Sequence, residues 1–278
     1  MKFRQCLILS LFAIAPVHAW AVEDLVNGVA SFNTTAPTDS DIPNWDTGWA
    51  WSGLTGWNYV GRVGDAGGVY LGNDWVLTAG HVGAGTFTLD GTSYAVAAGS
   101  AYGFQSEVGT ADLTLFQLAT GPDLPPLTLA TNSPNSISPF HQGEEAAMIG
   151  YGGGTFAWGL NTVTESNVSV TVKGYPYDTI DFQTAYGTTT DGSYSATNNA
   201  VLIGGDSGGG DFIYDPGSGT WELAGINEAV DTSNNNSYMV EVSAYASQIN
   251  SIIEVPEPGC ITLAGAAVAV FLACRRKG

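Results

Sequence analysis

The sequence predicts an all-β, mostly antiparallel body that ends in one short helix. Two observations carry this reading: short apolar or alternating runs recur between turn-forming residues, and helical periodicity is confined to a single late segment. The candidate strands, in chain order, are residues 68–71 and 75–79, 86–89 and 92–96, 168–172, and 211–214 with 221–226. Gly72-Asn73-Asp74, Asp90-Gly91 and Asp215-Pro216-Gly217-Ser218-Gly219 separate the paired runs. These residue types tolerate the positive φ that tight connections require. In residues 243–253, Tyr245, Ile249 and Ile252 fall at helical spacing. Residues 34–47 are polar and read as an irregular surface crossing, after which Trp45, Trp49, Trp51 and Trp57 cluster. A sugar-binding platform is conceivable, but tryptophans are more commonly packed against strands.

Both ends carry export signals. Lys2 and Arg4 precede the apolar stretch 7–17, and small residues follow at Ala19 and Ala21, the pattern of a signal peptide spanning residues 1–21. Signal peptidase is expected to cut after Ala19 or Ala21. In the tail, residues 255–278, Val255-Pro256-Glu257-Pro258 precedes an apolar run, 260–274, closed by Arg275-Arg276-Lys277. That run of 15 residues would span about 22 Å as a helix, which suits a transient anchor with its basic end in the cytoplasm. The combination resembles the PEP-CTERM sorting signals of Gram-negative bacteria. The resemblance implies handling by an exosortase-type processing enzyme and a secreted or cell-surface destination.

Residues 22–254 then form one domain. Cys6, Cys260 and Cys274 all lie outside it, so packing and hydrogen bonds must hold it without disulfides. Within it Arg62 and Lys173 face 25 carboxylates, a net charge of −23. Such a surface repels nucleic-acid phosphates and favours solubility or cationic partners.

Three segments carry chemistry. His81 ends the apolar run Trp75-Val76-Leu77-Thr78-Ala79-Gly80, at a strand exit where a cleft can form, and imidazole is the natural general base near neutral pH. Asp112 opens Asp112-Leu113-Thr114-Leu115-Phe116, where a carboxylate could fix the tautomer of that imidazole. Ser207 sits in Gly204-Gly205-Asp206-Ser207-Gly208-Gly209-Gly210, whose glycines allow a tight turn with N–H groups facing a developing oxyanion. Each alone has an ordinary structural explanation: a strand-end histidine, a strand-capping aspartate, a flexible glycine turn.

Together, and in this order, they resemble the trypsin-like serine peptidases, with Gly80 in place of an alanine and Leu113-Thr114-Leu115 in place of Ile-Ala-Leu. The likeness runs from about residue 67 to 253; it includes 143–154, like the family's Gly-Trp-Gly strand, and 221–226, like its penultimate strand. It implies two six-stranded antiparallel β-barrels and a C-terminal helix. It also implies hydrolysis of protein or peptide substrates through an acyl-enzyme on Ser207, with Gly205 and Ser207 as the oxyanion hole and no cofactor or metal. By the same likeness Val201 floors the specificity pocket, and Glu228 and Val230 lie on the substrate-pairing strand. An apolar floor favours apolar or small side chains before the scissile bond, while Glu228 could instead contact His81 or an incoming cation. Asp206 would pair with a freed amine. Leu25-Val26-Asn27-Gly28 is the nearest approximation to an activated terminus, and Arg62 and Lys173 are the alternative cations. His141 reads as a loop residue, and Asp39 and Asp41 as possible calcium ligands without a defined binding loop. The competing expectation is a catalytically silent surface or matrix binding module on the same fold.

Overall fold

The computed structural model describes residues 22–26, 29–136, 143–186 and 199–253. The leader, the tail, His141 and Asn27-Gly28 lie outside them. Among the described residues sixteen strands and one α-helix are formed. They begin with β1 (Glu23–Val26), β2 (Val29–Ser31), β3 (Val60–Val63), β4 (Ala66–Gly72), β5 (Trp75–Thr78), β6 (Phe87–Leu89), β7 (Thr92–Tyr94), β8 (Tyr102–Gln105) and β9 (Thr110–Gln117). The second half holds β10 (Glu145–Gly150), β11 (Ala157–Thr171), β12 (Asp178–Ala185), β13 (Ala200–Val201), β14 (Gly210–Asp215), β15 (Thr220–Asp231), β16 (Asn236–Glu241) and α1 (Val242–Ile253).

The late strands close into a six-stranded barrel, β10-β11-β12-β16-β15-β14. Closure leaves no free edge, a stable solution for antiparallel strands that lack disulfides. The early strands form a seven-stranded antiparallel sheet in the order β7-β6-β3-β4-β5-β9-β8, where the family likeness led to a second six-stranded barrel. The extra piece is a small sheet, β13-β1-β2, which ties the beginning of the described chain to the segment just before Ser207. The expected turns carry the expected backbone: Gly72, Asn73, Asp74, Asp90, Gly91 and Gly219 all have positive φ.

Runs that are apolar throughout become strands buried on both faces, as in β5, where all four residues are buried. Alternation marks half-exposed strands, as in the outer half of β11. Residues 38–49 wrap across the barrel through tryptophan. Trp45 is fully buried, with ring centroids 5.2 Å from Trp49, 4.8 Å from Trp221 and 6.2 Å from Phe212. Three of these four contributors are thus core, and truncating a tryptophan so placed costs about 3–5 kcal/mol. Trp57 packs against Phe156, and only Trp51 of the cluster is exposed. On α1, Tyr245 and Ile249 point inward as the periodicity predicts, and Tyr245 Oη accepts the Ile180 N–H at 3.0 Å. Asp41 accepts from the backbone N–H and hydroxyl of Thr38, and Asp39 from the Asp46 N–H. Both carboxylates therefore serve turn geometry.

Candidate active site

His81 leaves the end of β5 in a turn closed by the Val82 and Gly83 N–H groups on Ala79 O. Its backbone N–H donates to Asp112 Oδ1 at 2.6 Å and its Nδ1 to Asp112 Oδ2 at 2.5 Å. The carboxylate therefore fixes both the main chain and the ring, which leaves Nε2 as the nitrogen able to accept a proton. Asp112 is fully buried on β9, the neighbour of β5, so strand pairing alone brings the two together. Gly80 belongs to the same packing: a Cβ there would lie 2.8 Å from Asp112 Oδ1. The ring of Tyr175 stands 5.0 Å from that of His81 and is half exposed.

Ser207 comes from the other half of the molecule. Its carbonyl accepts the Gly67 N–H at 2.7 Å, and Gly67 O accepts the Thr78 hydroxyl at 2.8 Å, three residues before His81. The turn thus docks on the strand that presents the histidine. Gly205 has φ +104° and Gly208 φ +81°, and a Cβ at Gly208 would sit 2.2 Å from Thr78 Oγ1. Glycine is needed at both places. The Asp206, Gly208 and Gly209 N–H groups bond to Ile203 O, Asn227 O and Asp206 O. Among the described residues those of Gly205 and Ser207 have no such partner, which leaves them available to an oxyanion. The hydrogen bonds of Ser207 are likewise main-chain ones, and none joins its Oγ to His81 among the described residues. Nucleophile–base bonds commonly tighten only when substrate binds.

Asp206 is buried beneath this turn. It accepts N–H groups from Ile203 at 2.7 Å, Gly152 at 2.8 Å, and Val22 at 3.1 and 3.2 Å. Burial still pushes its carboxyl up to about 7, against the downward pull of those donors. The backbone group that reaches Asp206 is the Val22 N–H, three residues before Leu25. Leu25 lies inside β1, paired with Ala30, and it is Val22 that reaches Asp206. The alternative cations are engaged elsewhere: Arg62 lies over the Tyr151 ring at 5.8 Å, and Lys173 is exposed.

Beside Ser207 is a crevice of about 90 Å³ lined by Leu202, Ile203, Gly204, Asp206, Glu228, Ala229 and Val230. Glu228 and Val230 thus line this crevice from β15. Val201 does not line it, because that residue is committed to the β13 pairing with Glu23, and Leu202 and Ile203 take its place. Glu228 is 5 % exposed and lies within reach of the buried Asp181, so it is turned inward, away from an incoming cation. Sequence reasoning missed Val22, Thr179 and Asp181. A carboxylate inside the strand run Asp178-Thr179-Ile180-Asp181-Phe182 was the available signal for the last.

A family model described as Trypsin matches residues 53–253. No curated protein matches the chain by sequence. Among solved structures, the protease Rv3671c from M. tuberculosis is similar in its active form, with a TM-score of 0.47 and 19 % identity, over 69 % of this chain and 74 % of that one. An inactive serine-to-alanine mutant of the same protein from M. tuberculosis H37Rv is similar with a TM-score of 0.50 and 16 % identity, over 82 % and 99 %. The NS6 protease of murine norovirus 1 gives 0.47 and 15 %, over 71 % and 97 %.

Proposed function

Because the chain belongs to the trypsin family, we propose that it is an exported serine endopeptidase whose nucleophile, base and orienting acid are Ser207, His81 and Asp112. The observation that carries this reading is the double attachment of His81 to Asp112, through the backbone N–H at 2.6 Å and Nδ1 at 2.5 Å. Only Nε2 then remains to take a proton from the Ser207 hydroxyl as it attacks a peptide carbonyl. The oxyanion develops against the N–H groups of Gly205 and Ser207, and His81 returns the proton to the leaving amine. Water, deprotonated by the same imidazole, releases the acyl group. The crevice of about 90 Å³ with Leu202, Ile203, Ala229 and Val230 on its walls supports cleavage after small or apolar side chains.

Maturation belongs to this proposal. Removal of residues 1–21 by signal peptidase, cutting after Ala21, would leave Val22 as the first residue, and its new ammonium would replace a neutral N–H on Asp206. Export and activation would then be one event. The C-terminal segment would anchor the protein transiently in the membrane for an exosortase-type enzyme, giving a secreted or surface-held product.

A fluorophosphonate probe tests the peptidase reading. The wild-type chain should be labelled and S207A should not, while H81A and D112N should lose about 10⁴-fold in kcat. Failure of the wild-type chain to label would instead identify a silent binding module, and peptide hydrolysis undiminished in S207A would refute Ser207 as the nucleophile.

A further inference from the structure

Behind the His81–Asp112 pair lies a second group of acids that the triad does not use. Asp112 donates its own N–H to Thr179 Oγ1 at 2.9 Å, across the seam between the two halves of the molecule. Thr179 and Asp181 sit two residues apart on β12 and share a face, and both are fully buried. Glu228 reaches them from β15. The register between β15 and β16 slips between Asn227 and Ala229, so Glu228 is the extra residue of a β-bulge, a device that re-aims a side chain. Asp181 pairs with Val240 and Val240 with Ile226, so Glu228, two residues beyond Ile226, shares their face and its carboxyl lies within hydrogen-bonding reach of Asp181. Among the described residues, no donor meets any of their four buried carboxyl oxygens with good geometry, and the Thr179 hydroxyl lies beside Glu228. The groups facing the pair are Asp112 and His81 from the first sheet, Glu241 from β16 and Tyr245 from α1. All but the histidine are acids. Two carboxyls in contact, buried and without a cation, cannot both be ionised, so a proton must lie between them.

We propose that Asp181 and Glu228 form a shared-proton acid pair that acts as a positioning device for the triad: Asp181 keeps the proton, and Glu228 ionises to place a second negative charge behind the imidazolium. The inference rests on the peptidase reading. Its logic is electrostatic. When Ser207 gives its proton to His81, positive charge appears on the ring while Asp112 holds Nδ1. An ionised Glu228 on the buried side stabilises that charge, and a protonated one does not. The Thr179 hydroxyl, which accepts the Asp112 N–H, links the pair mechanically to the same carboxylate.

Burial, the first cause, together with the charge on Asp112 holds Glu228 at about 7, against pulls from the Asp181 and Thr179 side chains and from His81. Burial and the neighbouring Glu228 hold Asp181 well above the usual carboxylate range. The proton is assigned to Asp181 because that side chain is fully buried, whereas Glu228 has the Thr179 hydroxyl beside it and faces His81, both of which favour its ionised form. Activity should therefore climb through two ionisations on the acid side, one from the imidazole and one from Glu228.

The test is the pH profile of kcat/KM for the wild-type chain, E228Q and D181N, with infrared carboxyl titration of S207A and of the double variant S207A/E228Q. The wild type should show an acid limb of slope two. E228Q should show slope one and a plateau lowered about 10-fold, and D181N, whose amide mimics a protonated acid, should keep slope two. In the infrared, a protonated carboxyl band should disappear near pH 7 in S207A and be missing from S207A/E228Q. An unchanged slope in E228Q, or a slope lost in D181N but kept in E228Q, would overturn the proposal. Because the infrared measurement uses a variant without its nucleophile, it stands whether or not the chain is a peptidase. Identical carboxyl titrations in the two S207A proteins would dispose of the acid pair alone.

Discussion

Freeing the amine of Val22 should raise activity by two to three orders of magnitude. The perturbation is small: one protein begins at Val22, and a second carries an N-terminal acetyl group or retains Ala21. In the extended chain the donors to Asp206 among the described residues are neutral N–H groups, of Ile203, Gly152 and Val22, and its carboxyl stays near 7. The distance from its ordinary 3.8 to about 7 corresponds to roughly 4 kcal/mol of unrelieved desolvation. An ammonium at the 3.1 Å now spanned by a neutral N–H would supply the missing charge, and losing one partner of a buried pair costs about 3–5 kcal/mol. Asp206 immediately precedes Ser207, so that energy bears on the turn that aims the Gly205 and Ser207 N–H groups. The assay is kcat/KM on a small peptide ester at about pH 7.5, with active-site titration to separate a smaller active fraction from slower chemistry. The pH dependence has a definite sign. A paired amine is held above its ordinary value of about 7.7–8.0, so its contribution is complete below that range and disappears as pH rises through the raised value. Equal kcat/KM for the free and acetylated chains would refute the reasoning, as would full activity in D206N.

Three further outcomes follow from the same geometry. G208A places a Cβ 2.2 Å from Thr78 Oγ1 and 2.3 Å from Gly67 O at φ +81°, so it should undock the Ser207 turn and abolish fluorophosphonate labelling; labelling at the wild-type rate would contradict that packing. Folding stability of the chain with residues 1–21 attached should fall as pH rises. Asp181, Asp206, Asp211 and Glu228 are all held above their ordinary values, mainly by burial. The folded form therefore binds protons that the unfolded form has released, and stability declines from about pH 4.5 through 7. Urea midpoints across that range check the sign. D211N should raise the midpoint at pH 8 and change it little at pH 4, because both Asp211 oxygens are buried without a donor among the described residues.

Much of this was legible in the sequence because it depends on local chemistry. The run 75–79 is apolar throughout and becomes a strand buried on both faces, and Gly72-Asn73-Asp74 turns where its residues tolerate positive φ. His81, Asp112 and Ser207 were identifiable because each stands in a segment with a physical reason for its neighbours. What stayed hidden is what only tertiary pairing decides. Leu25 looked like the better terminus because the comparison was made by residue type. The position that reaches Asp206 is set by how β1 pairs with β13, and that register puts Val22 at the carboxylate. Val201 was expected to floor the crevice by counting back from Ser207, but the same pairing removes it from the lining.

The hidden acids reveal a tension that composition alone conceals. A domain with 25 carboxylates and two basic side chains has almost nothing with which to neutralise a buried acid, so each one inside must keep its proton or find a cation made by the chain itself. Asp206 adjoins the N–H of Val22, which the proposed removal of residues 1–21 would turn into such a cation. Asp181 and Glu228 have no cation and must divide a proton between them. The register makes this division possible, since Asp181 pairs with Val240 and Val240 with Ile226, and Glu228, two residues beyond Ile226, falls on the same face. Replacing Glu228 with leucine should therefore leave Asp181 without its acid partner and remove the second ionisation from the acid limb, even in a barrel that still closes. Retention of both ionisations in E228L would show that the pair is incidental to the chemistry.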